Sequence, residues 1–305
     1  MDRGDGVALS RRRRARNAAF WGACGLALLL VIAPVVSIFW EIVASAVPHW
    51  HWSVLTTDQS GNGGGLRNAV EGTLVIMVGV LVLAGTIGVG GGLYLAEFSP
   101  GRRAQLLRGA SEVLAGVPSI VLGYVGYSIL VVEFHWGFSL AAALIVLTVL
   151  VIPYIVKTTE VAVRSVPTSY REGAEALGMP DGYVLRRLVL QPALPGVVTG
   201  LIVAVAIAMG ETAPLLYTAG WSTRAPTLAL THSPVGYLTY AVWTFYNEPY
   251  QSAHVLAHEA ALLLVVMLLV LIVAARLVVT ATQRHAATAR PSARRRRRST
   301  TDEPG

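Results

Sequence analysis

Ser169-Tyr170-Arg171-Glu172-Gly173-Ala174-Glu175-Ala176-Leu177-Gly178 is a polar run set between apolar ones, and it leads into a long apolar segment that closes on Gly210-Glu211-Thr212-Ala213-Pro214-Leu215-Leu216. Ser169 and Glu172 have the spacing of a capping box, which starts a helix, and Gly178 is the residue type that ends one. Pro180 and Asp181 then restart the chain toward residue 190. A helix of about nine residues is about 13 Å long and cannot span a bilayer. Glu172 and Glu175 stand one turn apart, and Ala174, Ala176 and Leu177 offer a small apolar surface, so the segment suits either a partner's groove or an interfacial position.

The chain around this stretch has the composition of a polytopic membrane protein: 54% of its 305 residues are apolar and only 13% charged, against about 25% charged in soluble domains. Six stretches free of Asp, Glu, Lys and Arg, at 20–40, 72–96, 113–132, 136–156, 188–210 and 260–275, fit helices crossing a hydrocarbon core of about 30 Å. The expected fold class is therefore all-α integral membrane, with six transmembrane helices. Of the 24 Lys and Arg residues, 22 fall on one side of this arrangement, and Arg67 and Arg224 on the other. The positive-inside rule then places both termini in the cytoplasm. The organisation follows: a basic tail at 1–17, a first transmembrane helix at 18–45, a five-helix core at 66–280 with a cytoplasmic loop at 164–192, and a second basic tail at 283–305. Neither tail shows apolar periodicity, so both are expected to be disordered.

The net charge of +7 is concentrated in two Arg-rich tails that flank membrane spans. Anionic membrane lipids, rather than nucleic acid, are the partner this suits. The first helix is too long and lacks the cleavage site of a signal peptide, so it is expected to stay as an anchor. Cys24 is the lone cysteine, with packing as its expected role, and there is no disulfide framework. Two outer loops, 45–68 and 219–254, are rich in aromatic residues, which read as interfacial belts or as a floor for an external protein. Gly85, Gly88, Gly90, Gly91 and Gly92 crowd one span and let another helix approach closely. Pro118 and Pro153, each inside an expected span, are expected to kink or loosen it.

Enzyme chemistry finds no support. Lys157 is the single lysine, in the context Val156-Lys157-Thr158, so a phosphate-binding loop with its Gly-Lys-Ser/Thr end is impossible, and any ATP hydrolysis must come from another chain. His254 and His258 lie one helical turn apart, but no third ligand stands at a metal-binding spacing. No nucleophile and base pair up either. No cofactor is implied.

The polar segment resembles the "EAA" loop of permease subunits of type I ABC importers, whose pattern is Glu-Ala-Ala, three residues, Gly, nine residues, Ile-x-Leu-Pro. Glu172, Gly173, Ala174 and Gly178 follow it with Gly in place of one Ala, and Leu188-Val189-Leu190 follow with Leu in place of Ile. The pattern's proline falls at Gln191, with Pro192 one position late, so the end of the loop is expected to turn differently. Gly210-Glu211-Thr212-Ala213-Pro214-Leu215-Leu216 resembles the sequence typical of PstA-type permeases of phosphate importers.

The resemblance implies a six-helix permease fold. It also implies a coupling helix that docks on an ATPase through Glu172, Gly173, Ala174, Glu175, Leu177 and Gly178. The implied assembly holds a homologous PstC-type permease subunit, two PstB-type ATPase subunits and an external PstS-type phosphate-binding protein, in a bacterial plasma membrane. Glu211 stands about two-thirds of the way across the fifth span. An intramembrane carboxylate is expensive and usually functional. It needs an arginine partner, a protonated phosphate or a proton of its own. Relatives of this type often carry arginine three residues before the Gly-Glu pair, where this chain has Ile207. Thr212 and Thr218 offer neutral hydrogen bonds beside it. The alternative within the class is a permease for another oxyanion, such as molybdate, sulfate or phosphonate. An ATP-independent secondary transporter would show inverted repeats or several intramembrane charges, neither of which is clear.

Overall fold

In the computed structural model of the protein, described for residues 5–61, 63–98, 101–227 and 229–288, nearly all regular structure is helical. Contacts divide the chain into one unit up to His51 and a second from Trp52 onward. The first unit is built on α1 (Asp5–Ala46), whose apolar run from Phe20 to Trp40 is exposed along its length, Cys24 included. The helix starts at Asp5, so residues 5–17, expected to be disordered, are helical, as are residues 283–288 at the end of the last helix. The same expectation for 1–4 and 289–305 lies outside the described residues.

The second unit opens with a short helix α2 (Ser53–Thr56) and a two-residue hairpin, β1 (Gln59–Ser60) with β2 (Gly63–Gly64), paired antiparallel with Gln59 opposite Gly64. Four long spans follow in order: α3 (Arg67–Leu93), extended by a π-turn over Tyr94–Phe98; α6 (Leu140–Arg164); α9 (Gln191–Gly210); and α12 (Gln251–Thr288). With α1, five helices are long and apolar enough to cross a membrane. The expected third span, 113–132, is instead broken. α4 (Arg102–Ala115) and α5 (Ser119–Gly126), the latter continued by a π-turn over Tyr127–Glu133, meet at 96°. Pro118 is the cause: it has no N–H to donate, and its ψ of 134° turns the backbone out of the helix. Its carbonyl then accepts from the amide of Val121 at 2.9 Å and starts α5. Pro153 does not act this way, since α6 runs through it without interruption.

The core lies where α3, α6 and α9 cross. Ile76, Val80, Leu147, Val151, Ile155, Ala204 and Ala208 are all buried there. Between apolar helices in lipid the hydrophobic effect supplies little, and close backbone approach must do the holding. The glycines supply it. A Cβ on Gly88 would lie 2.7 Å from Ile155 Cβ, and one on Gly92 2.6 Å from Thr159 Cβ. On the other flank a Cβ on Gly196 would lie 2.7 Å from Ala162 Cβ, and one on Gly200 2.1 Å from the Thr158 hydroxyl. Of the clustered glycines in α3, Gly90 faces open space.

At one end of the bundle, α7 (Thr168–Ala176) follows α6, and α8 (Asp181–Tyr183) runs through a π-turn over Val184–Leu190 directly into α9. At Gln191 and Pro192, where the loop was expected to turn differently from the pattern, the backbone continues as helix. Both residues sit at the start of α9, in backbone that stays helical from the π-turn onward.

At the opposite end, α10 (Ala213–Thr218) and α11 (Leu238–Tyr246) join the hairpin in a cap. The Asn68 amide nitrogen donates to the Ser222 carbonyl at 2.7 Å. Trp221 stacks on Tyr240 at 4.5 Å and meets Phe245 edge-on, and Tyr237 is buried beside them. These aromatics pack on one another and form no belt, whereas Trp52, Trp243, Tyr246 and Tyr250 are exposed.

The glycine interlock is open to a direct check. Gly88→Val should destabilise the fold by about 1–3 kcal/mol through overpacking and lower the melting temperature of the purified protein in detergent. Gly90→Val, facing open space, should leave it unchanged.

Candidate functional site: a coupling helix and a broken fifth span

α7 has the nine residues expected of it, but it begins one residue before the expected capping box. Pro167, with ψ of 138°, precedes its first turn, and no side chain caps it, so the Ser169–Glu172 box is not formed. Its far end is as the sequence foretells. Gly178 takes φ of +65°, its amide donates to the Glu175 carbonyl at 2.9 Å, and the Met179 amide donates to the Ala174 carbonyl at 3.1 Å. This is the Schellman pair that closes a helix on a glycine.

Glu172, Gly173, Glu175, Ala176 and Leu177 face outward, Leu177 at 74% exposure. Ala174 does not. It is buried at 3% exposure and belongs to the inner face of the helix. The outward surface is therefore two carboxylates flanking a leucine, with Tyr170 half exposed beside them.

The inner side of this end carries an ionic network that inspection of the sequence did not single out. Arg171 pairs with Glu97, from the π-turn that ends α3. Glu160, on α6 and 5% exposed, accepts from Arg108 Nε at 2.8 Å and from Arg164 at 3.1 Å. The available signal was positional, since an acidic residue just inside or beyond an apolar span calls for a partner. Arg164 is four residues from Glu160, but Arg108 and Arg171 lie 52 and 74 residues from their carboxylates along the chain.

Glu211 occupies a break in the chain. α9 stops at Gly210, Glu211 is extended with φ of −72° and ψ of 128°, and α10 starts at Ala213. Pro214 explains the stop, because its ring would clash with the Gly210 carbonyl were the helix to continue. Glu211 is half-buried, and its backbone carbonyl accepts from the Thr239 hydroxyl at 2.9 Å. Among the described residues no ion pair involves its carboxylate. Ile207, at the position where an arginine would stand, is half-buried against the apolar core.

Thr212 is half-buried at the same break. Thr218 is engaged within its own helix. Fully buried, it donates its hydroxyl back to the Pro214 carbonyl at 2.8 Å. The second broken span meets the first here: a Cβ on Gly123 of α5 would lie 2.5 Å from Pro214 Cα. Around that contact the rings of Tyr124, Tyr127 and Tyr217 cluster at 6.1 to 6.4 Å. No sequence pattern pointed to these three.

His254 and His258 are engaged locally. The first bonds the Glu248 carbonyl at 2.7 Å, the second the His254 carbonyl at 2.6 Å, and Tyr246 lies against both rings. Among the described residues no group of three His, Cys, Asp or Glu side chains is placed to hold a metal.

Residues 88–287 match the family described as "Binding-protein-dependent transport system inner membrane component". The chain is 59% identical over 251 residues to "Phosphate transport system permease protein PstA 2" of Mycobacterium bovis, covering 82% of this chain and 83% of the relative. It is 31% identical to "Phosphate transport system permease protein PstA" of Xylella fastidiosa, covering 83% and 89%. The fold is similar to that of a chain in the inward-facing MetNI methionine ABC transporter, with TM-score 0.57, 22% identity, and coverage of 71% of this chain and 95% of that one. An all-helical bundle with four long spans and one broken one, a short helix closed on Gly178, and a matched region that reaches from the glycines of α3 to the end of α12 thus identify the chain as a multi-pass member of the binding-protein-dependent transport system inner membrane component family.

Proposed function

We propose that this chain is a permease subunit of an ATP-driven importer, and that with a second, PstC-type permease subunit it forms the transmembrane pathway for inorganic phosphate. Two PstB-type ATPase subunits dock on the α7 end and an external PstS-type phosphate-binding protein on the end capped by α11, in a bacterial plasma membrane. The alternation of basic and apolar segments along the sequence, with 22 of 24 Lys and Arg in segments of the same side as the 164–192 loop, supports a cytoplasmic location for that loop and for both termini. The observation that carries the reading is the half-buried carboxylate of Glu211 at a helix break, in a chain whose relatives are named for phosphate transport over four-fifths of its length.

Broken helices line pathways because unwound backbone is tolerated in a membrane only where it faces protein or a watery cavity. A lone carboxylate repels a bare anion. Phosphate near neutral pH still carries a proton, however, and can donate it in a hydrogen bond to Glu211, while sulfate has none to give. Thr212 adds a neutral hydroxyl. The positive charge that would offset the pair comes from the second permease subunit, since Ile207 supplies none. ATP-driven closure of the ATPases moves α7, and α7 tilts the spans so that the passage opens to each side in turn.

In proteoliposomes holding the assembled complex, Glu211→Gln should lower phosphate uptake about tenfold, equivalent to about 1.4 kcal/mol, and narrow the preference for phosphate over sulfate. Uptake and selectivity equal to wild type would remove Glu211 from the passage. Glu172→Arg, on the exposed face of α7, should abolish ATP-dependent uptake and weaken co-purification of the ATPase, with the melting temperature of the isolated chain unchanged.

A further inference from the structure

A helix that receives a push from an ATPase must also be fastened to what it moves, and the exposed face of α7 offers no such fastening. Arg171 does. Its guanidinium leaves the first turn of α7, turns inward and is 23% exposed. It meets both oxygens of the Glu97 carboxylate, Nε at 3.3 Å from Oε2 and Nη2 against Oε1. The same group donates from Nη1 to the Val166 carbonyl at 3.0 Å and from Nη2 to the Val163 carbonyl at 3.4 Å. Glu97 belongs to the π-turn that ends α3, and Val163 to the last turn of α6. The final carbonyls of a helix carry the negative end of its dipole, and the Val163 carbonyl, which already accepts the Val166 amide at 3.3 Å, takes the arginine as a second donor.

One side chain thus ties α7 to two spans, and those spans are interlocked through Gly88 on Ile155 and Gly92 on Thr159. A second latch holds the same junction. Arg108 of α4 and Arg164 of α6 share the carboxylate of Glu160, and each also donates to the Leu95 carbonyl, at 3.1 and 3.3 Å, in the π-turn that carries Glu97. The ends of α3 and α6, the first turn of α7 and the middle of α4 are thereby gathered at residues 95–97.

We infer that Arg171 is the positioning residue that converts movement of α7 into movement of the α3–α6 pair, with Glu97 as its anchor. The inference rests on the reading of α7 as the helix that docks on the ATPase. Arg171 makes no contact with the transported anion; it sets how much of each ATPase cycle reaches the spans.

The test separates ATP hydrolysis from uptake in proteoliposomes holding the full complex, with inorganic phosphate as the probe. Arg171→Gln and Glu97→Gln should leave ATPase co-purification intact and hydrolysis within about twofold of wild type, while phosphate taken up per ATP falls at least tenfold. Arg171→Lys, a point charge that cannot reach both oxygens and both carbonyls, should fall between. Where Arg171→Gln does not assemble, Glu97→Gln keeps every residue of α7 and gives the same readout. Uptake per ATP equal to wild type in the glutamine variants overturns the inference, and so does a parallel fall of uptake and hydrolysis with loss of the bound ATPase, which marks a merely structural role. Glu172→Arg distinguishes the two levels: if it leaves ATPase binding and uptake intact, the docking assignment of α7 fails, whereas disruption by Glu172→Arg with normal coupling in Arg171→Gln sinks only the role of Arg171.

Discussion

The fold depends on how closely α3, α6 and α9 approach one another. In lipid, helices gain little from hiding apolar side chains, because the tails outside are as apolar as the neighbours inside. What remains is contact between backbones, and it requires residues with nothing in the way. Gly88, Gly92, Gly196 and Gly200 provide the contact points, each against a side chain of α6 that would collide with any Cβ. α6 is in consequence the axis of the bundle, and 61% of its most apolar window is buried, against 11% for α12. The exposed apolar side chains of α3 and α12, such as Val78, Val82, Leu269 and Val270, are ordinary for surfaces that meet lipid.

Around this rigid centre the chain places its irregular backbone in two kinds of location. Breaks with prolines lie within spans, at Pro118 and before Pro214, and they meet through Gly123. π-turns lie at span ends, at Tyr94–Phe98, Tyr127–Glu133 and Val184–Leu190. The breaks present polar groups within the membrane, with Glu211 and Thr212 at one and the tyrosine cluster beside the contact. The first π-turn presents the Leu95 carbonyl and the Glu97 carboxylate to arginines from three other helices. A membrane helix that must carry polar chemistry gives up regular hydrogen bonding where another element replaces it.

What the sequence made legible was local. The end of α7 could be read from Gly178 because a Schellman closure involves six consecutive residues, and the spans other than the third could be read from the absence of charge. The start of α7 was misjudged because a proline at position 167 fixes the entry geometry without any capping side chain. In the third span a kink was legible from Pro118, but not its size, because an apolar run of the right length says nothing about how far a proline turns it, here through 96°. Thr218 looked like a ligand, yet its hydroxyl is taken by a carbonyl four residues earlier, a competition that residue type alone does not reveal. The Arg171–Glu97 and Arg108–Glu160 pairs join residues 74 and 52 positions apart and exist only once the bundle is assembled.

Leu177 has a consequence for the life of the chain before it meets its partners. It stands 74% exposed on a helix that projects beyond the apolar spans, with Tyr170 at 45% close by. Elsewhere the exposed apolar side chains of the bundle can be wetted by lipid, but a leucine on a polar nine-residue helix has only water or another protein to touch. On the proposed reading, docking of the ATPase covers Leu177, and an unassembled copy leaves it in water. A leucine that neither the bundle nor lipid accommodates is then a place where an unassembled subunit differs in surface from an assembled one.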